Sequence, residues 1–188
     1  MSFREDIMKY HPINEQEEND KKVMLDYIGH FYGNILTREN EIAHMTSSGL
    51  ILNKTLDKVL MIHHNIYNTW AWTGGHADGE SDMLKLAIKE AQEETGLVKI
   101  TALFDEIASI DILTVNGHMK RGKYVSSHLH LNTSYVLIAD EADELVVNEE
   151  ETSGVQWIDV NRMHEYSNEP YMVEVYKKII EKGKSYRV

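Results

Sequence analysis

Three carboxylates and a pair of glycines set the chemistry this chain can attempt. Glu90, Glu93 and Glu94 stand at i, i+3 and i+4, and at ~100° per residue side chains so spaced share an arc of about 100° on one helix face. Hard divalent cations such as magnesium or manganese take oxygen ligands, and an ion held there can face phosphate oxygens in turn. The stripe is framed on both sides: Gly74 and Gly75 form a turn before it, and Thr95-Gly96-Leu97 stops it. Three glutamates on a helix are ordinarily a solvated face, and the glycine flanks are what argue for a site instead.

Other residue types allow further chemistry. His128, His130, Asn132 and Ser134 share one parity, so in a strand they face one side, opposite Leu129, Leu131 and Tyr135. A His-x-His pair could bind zinc or line a substrate pocket, or it could be the polar side of an antiparallel strand. Trp70 and Trp72, with Tyr67, could stack on a base or pack in the core. A basic, glycine-containing loop carries Lys120, Arg121 and Lys123, which could meet substrate phosphates or simply be solvated. Glu151 ends a strongly acidic stretch that begins at Asp140.

These residues need elements to position them. At 188 residues the chain suits one well-packed domain plus an extension. Residues 1–43 read as an N-terminal helical extension of two helices with a break at Pro12, packing on the domain or building an oligomer contact, so a homodimer is possible. Residues 44–188 read as a mixed domain. Strand-like runs cover Ser48–Leu52, Val59–His63, Lys99–Leu103, Ile107–Val115, Leu129–Ile138 and Val155–Ile158, and Trp70–Thr73 resembles a strand end leading into the Gly-Gly turn. A closing helix spans Tyr171–Glu181, with Met172, Val175, Tyr176, Ile179 and Ile180 on its inner face. In the acidic helix, Leu84, Ile88, Ala91 and Thr95, with Ala87 at the edge, form a second stripe roughly 120° from the carboxylates, which predicts the face that anchors it.

Composition narrows the classes. The formal net charge of −12 argues against affinity for a nucleic-acid backbone, whereas a small anionic substrate is compatible if a cation stands between. No apolar run approaches the ~20 residues that span a bilayer. The acidic N-terminal residues lack the pattern of a secretory signal, and the absence of cysteine fits a reducing compartment, so a cytoplasmic location without membrane or nucleic-acid partners is expected.

The stretch from Gly74 to Leu97 resembles the Nudix box, G-x5-E-x7-R-E-U-x-E-E-x-G-U with U aliphatic. Lys89-Glu90-Ala91-Gln92-Glu93-Glu94-Thr95-Gly96-Leu97 matches its second half, with Lys for Arg and Ala in the aliphatic slot. The first half is slipped by one residue: Glu80 has the expected spacing from Gly74, yet eight residues separate it from Lys89, and counting back from Gly96 makes Gly75 the first glycine and puts Ser81 in the acidic slot. Either a tightened loop lets Glu80 reach Lys89, or Asp78 or Asp82 takes its place.

The resemblance implies an α/β/α sandwich with a mixed sheet, of α+β class. It implies an enzyme that hydrolyses a pyrophosphate linkage in a nucleoside diphosphate-linked or related small phosphorylated substrate with magnesium or manganese. It places the metal on Gly74, Glu90, Glu93 and Glu94. The catalytic set it suggests is Glu90, Glu93 and Glu151, the proton acceptor being Glu90 or the loop carboxylate Glu151. The alternative is a Nudix-fold binding or regulatory module that has lost turnover, motivated by Lys89 and the slipped Glu80. Isopentenyl-diphosphate isomerase resembles the same fold but uses a cysteine, which this chain lacks.

Overall fold

Strand β1, Ala43–Leu52, is buried along its whole length, because it is paired on both edges and covered on both faces. It runs parallel to β9, His128–Ile138, in a register from Ala43 opposite Leu129 to Leu52 opposite Ile138. Its other edge is shared: Ile51 and Leu52 pair with β2, Lys58–His64, while Thr46 to Gly49 pair antiparallel with β4, Thr73–His76. Strand β3, Thr69–Ala71, adds to β2. Short β5, Thr101–Ala102, and β6, Ser109–Val115, pair with β9, and β10, Thr152–Asp159, pairs with β2. Together they form a mixed, eight-stranded sheet among the described residues. The computed structural model describes residues 2–65, 68–120, 122–148 and 152–186.

Alternation along β1 and β9 splits the core into two layers. Met45, Ile51, Leu131, Tyr135 and Leu137 face α3, Met83–Thr95, and the two N-terminal helices α1, Phe3–Lys9, and α2, Glu15–Phe31. Leu50, Leu52 and Val136 face α4, Pro170–Tyr186, through Val175, Tyr176, Ile179 and Ile180. The result is the expected α/β/α sandwich. Both N-terminal helices contribute buried residues to the first layer, including Phe3, Ile7, Met24 and Ile28, so they pack on the domain. Helix stops at Phe31 and turns lead to β1. The basic, glycine-containing loop folds into a two-stranded ribbon of β7, His118–Lys120, and β8, Lys123–Val125.

A buried charge cluster ties the extension to the domain. Lys178 Nζ of α4 lies 2.6 Å from Asp111 Oδ1 of β6 and 3.0 Å from Glu17 Oε1 of α2. Both carboxylates are fully buried. Tyr10 Oη donates to Glu17 Oε2 at 2.7 Å, and Ser109 Oγ donates to Asp111 Oδ2 at 2.7 Å. Burial pushes the Asp111 carboxyl above its ordinary value, with Lys178 opposing the rise.

Helix α3 starts on Asp82, whose side chain accepts from Lys85 N–H, and ends on Gly96 in the left-handed region at φ 74°, a conformation glycine takes without strain. Its buried stripe is Met83, Leu86, Ala87, Ala91, Glu94 and Thr95, rotated roughly 60–70° from the predicted anchoring stripe at ~100° per residue. Leu84 and Ile88 are only partly buried. The rotation turns the carboxylate stripe toward the sheet, so Glu94 sits in the interface and not outside it.

Candidate active site

The α4 side of β1 and β9 changes character along the strands. Toward their C-terminal ends it is Leu50, Leu52 and Val136 under α4; toward their N-terminal ends it is His44, Thr46 and Ser48 beside His130, Asn132 and Ser134. This polar half faces a cavity of about 500 Å³, large enough for a small nucleotide-sized ligand. Asn132 Oδ1 accepts from Thr46 Oγ1 at 2.9 Å and Ser48 Oγ at 3.0 Å, and its Nδ2 donates to Ser134 Oγ at 2.9 Å, so the floor is a satisfied polar network. Parity placed these residues on one side of the strand, and of the two readings open from sequence the fold puts His128, His130 and Asn132 on a cavity wall.

Glu94 lines the same cavity although α3 covers the opposite face of β1. The Gly-Gly turn makes this possible. Gly74 lies opposite Ser48, and its N–H donates to Glu94 Oε2 at 2.9 Å. A Cβ on Gly74 would meet Ser48 Oγ, and one on Gly75 would meet the Glu90 carboxylate. At β4 the sheet edge is therefore bare backbone, across which two carboxylates reach. Burial is graded across the stripe: Glu94 is buried, the Glu90 side chain is 17% exposed and that of Glu93 is 54% exposed. An all-oxygen set beside glycine backbone suits a hard divalent cation.

The first half of the motif differs from its expected form. Glu80 pairs with Lys85 at 2.6 Å and accepts from Ser81 and Asp82 N–H at 2.8 and 3.0 Å. Those contacts, Lys85 foremost, hold its carboxyl at about 2. The expected Glu80–Lys89 pair is replaced because the helix begins at Met83, placing Lys85 about one turn nearer than Lys89. Asp78 does not substitute, since Arg38 takes it at 2.5 Å, and Asp82 is occupied as the cap. Lys89 instead lies 3.1 Å from Glu90 and 2.8 Å from Glu93.

The remaining sequence candidates separate. Trp72 is buried, lines the cavity and meets Tyr176 edge-on at 5.3 Å between centroids. Trp70 instead packs against His63 and Tyr166; the break between β3 and β4 interrupts the alternation that parity assumed. Lys120 lines the cavity with Arg38, whereas Lys123 is exposed. Arg121, Glu151 and Tyr67 lie outside the described residues.

Sequence reading missed His44, His76, Arg38 and Glu169, all on the cavity wall. His44-x-Thr46-x-Ser48 repeats the alternation seen at His128 to Ser134, a signal hidden by starting the strand at Ser48. Glu169, next to Pro170, gave no signal; burial raises its carboxyl. Burial also depresses the imidazoles of His44, of His76 to about 3 and of His130 to about 2, so these three are neutral near pH 7.

A model of the NUDIX domain matches residues 43–182. The chain belongs to the Nudix family. That places it among the Nudix pyrophosphohydrolases. A Nudix-family hydrolase from Clostridium perfringens is 19% identical with a TM-score of 0.52, covering 73% of this chain and 96% of that one. The Nudix hydrolase RenU from M. smegmatis is 17% identical at 0.53, covering 76% and 86%. The E. coli dihydroneopterin triphosphate pyrophosphohydrolase is 12% identical at 0.55, covering 72% and 94%. These likenesses are of fold. No curated protein matches the chain. No helix among the described residues of this Nudix protein is long and apolar enough to cross a membrane.

The Gly-Gly edge gives a first prediction for the Nudix site. Gly75→Ala should displace the Glu90 carboxylate, which can swing aside, and leave the backbone in place. Turnover should fall about 10-fold or more while unfolding free energy changes by at most ~1 kcal/mol. Steady-state kinetics and urea titration check it; unchanged kcat/KM would separate Glu90 from the chemistry.

Proposed function

We propose that this Nudix protein is a magnesium- or manganese-dependent hydrolase that cleaves a pyrophosphate linkage in a nucleoside diphosphate-linked or related small substrate. The observation that supports it most is Glu94, a buried carboxylate fixed by Gly74 N–H at the wall of a cavity that also carries Arg38 and Lys120. Glu90, Glu94 and Glu93, with the carbonyl of Gly74, are the groups that would hold the ion. When bound, such an ion polarises a phosphoryl oxygen, offsets developing negative charge and lowers the pKa of water.

The chain's own residues supply position and charge. Gly74 orients Glu94, and bare Gly75 leaves room for Glu90. Arg38 and Lys120 offer positive charge to phosphate oxygens, while Trp72 and Met172 provide an apolar wall for the group beyond them. Water adds to phosphorus, one phosphoanhydride P–O bond breaks, and the water proton passes to a carboxylate, for which Glu90 and Glu151 are the candidates.

The second reading, a binding module without turnover, has one observation in its favour: the Lys89 ammonium contacts Glu90 and Glu93 where a cation would sit. A panel of nucleotide sugars, dinucleoside polyphosphates, oxidised nucleoside triphosphates and coenzyme pyrophosphates, each with magnesium or manganese, distinguishes the two. Turnover of at least one member, lost in Glu93→Gln with Glu94→Gln, is expected. Tight binding of one member without turnover of any would favour the module.

A further inference from the structure

From the geometry we infer that His44, His76, His128 and His130 form a second metal site, one for a borderline transition-metal ion such as Zn²⁺ and separate from the carboxylate helix. One ligand nitrogen from each imidazole lies within 4.8 Å of all the others. The four come from three strands: His44 from β1 opposite His130 of β9, His128 two residues earlier on β9, and His76 from β4 opposite Thr46 of β1. Sheet register therefore fixes the cluster. A tetrahedral ion with Zn–N near ~2.0–2.1 Å places its nitrogens about 3.4 Å apart, and imidazole rotation alone spans that adjustment.

The hydrogen bonding around the rings points inward. His44 Nδ1 donates to the Asn40 carbonyl at 3.0 Å, which leaves Nε2 as a lone-pair acceptor; that atom is buried and has no partner, in a residue only 4% exposed. His128 Nδ1 likewise donates to the Ser126 carbonyl at 2.8 Å and directs its Nε2 at His130 Nε2, 3.2 Å away. A backbone carbonyl on one ring nitrogen with the other turned inward is how proteins orient metal-binding histidines. The orphaned buried acceptor of His44 is costly without a ligand, and a cation answers it.

The donor set also chooses the ion. Four imidazole nitrogens without carboxylate suit zinc, copper or nickel and disfavour magnesium, which requires oxygen. Arg38, a cation of the wall, is paired with Asp78. Along β1, His44 is four residues from Ser48, the partner of Gly74, or ~13 Å at ~3.3 Å per residue. The two sites thus share one cavity without sharing ligands, and the zinc assignment does not depend on the hydrolase reading.

Chelator-treated protein titrated with Zn²⁺ should bind one equivalent that excess Mg²⁺ does not displace, with a raised Tm. Co²⁺ in its place should give the intense visible absorption of a tetrahedral ion. His130→Gln and the less buried His128→Gln should each weaken Zn²⁺ at least about 100-fold, with circular dichroism showing the variants folded, while Glu94→Gln keeps the zinc. Zinc binding unchanged in both histidine variants, or no Zn²⁺ bound beyond what Mg²⁺ competes away, would overturn the assignment.

Discussion

Glu94→Gln is expected to lower kcat by about 10³-fold, because at the proposed metal site it removes a charged ligand, a loss of several kcal/mol at 1.36 kcal/mol per tenfold. The replacement is nearly isosteric and its oxygen can still accept from Gly74 N–H, so the backbone contact at 2.9 Å has no cause to break. KM should move less than kcat, since the ion's greater effect is on charge that develops in the transition state. Glu93→Gln should cost less than Glu94→Gln, as Glu93 is more than half exposed and already shared with Lys89. Steady-state kinetics of the two single variants on the best substrate of the panel checks the ordering. Equal, small losses would move the chemistry away from this helix face.

Lys178→Met is expected to destabilise the fold by about 3–5 kcal/mol at neutral pH, because it strands the buried carboxylates of Glu17 and Asp111 without their cation. For a chain of this size that is a Tm lowered by roughly 6–20 °C. The sign of its pH dependence follows from Asp111. Burial already raises that carboxyl in the folded state, and Lys178 is the largest opposing influence. Without Lys178 the folded protein binds the Asp111 proton at higher pH than the unfolded chain does. Stability that comes with a raised folded pKa is present at low pH and lost as pH rises through it. The deficit against wild type should therefore narrow on acidification toward the ordinary carboxylate range, by up to ~1.4 kcal/mol per pH unit for each proton. Urea denaturation of both proteins from pH 7 to pH 5 measures the gap; a constant or widening gap would remove Asp111 from the account.

This cluster also shows what the N-terminal helices do. Glu17 and Tyr10 bring α1 and α2 into the same polar network as β6 and α4, while Phe3, Ile7, Met24 and Ile28 join the apolar layer above the sheet. The helices thus close one face of the sandwich. Deleting them would expose both a buried charge network and an apolar layer.

Local pattern carried much of this protein. The helix spacing of Glu90, Glu93 and Glu94, the Gly-Gly turn and the Gly96 stop lie within one continuous stretch, and each is governed by backbone geometry that neighbours in sequence decide. Strand parity likewise grouped His128, His130, Asn132 and Ser134 on one side. Tertiary structure decided what lay opposite. The helix turned so that Glu94 became a buried residue, because packing depends on which face meets β1 and β4 and not on which face is most apolar. Glu80 found Lys85 and not Lys89 because a helix start is fixed by its cap, here Asp82, which motif spacing does not encode. His44 and His76 joined His128 and His130 only through the β1–β9 and β1–β4 registers, pairings between residues 86 apart and 24 to 30 apart in the chain. The Gly74 to Leu97 stretch by itself held the carboxylates of the proposed site; the histidine cluster exists only once the sheet has formed.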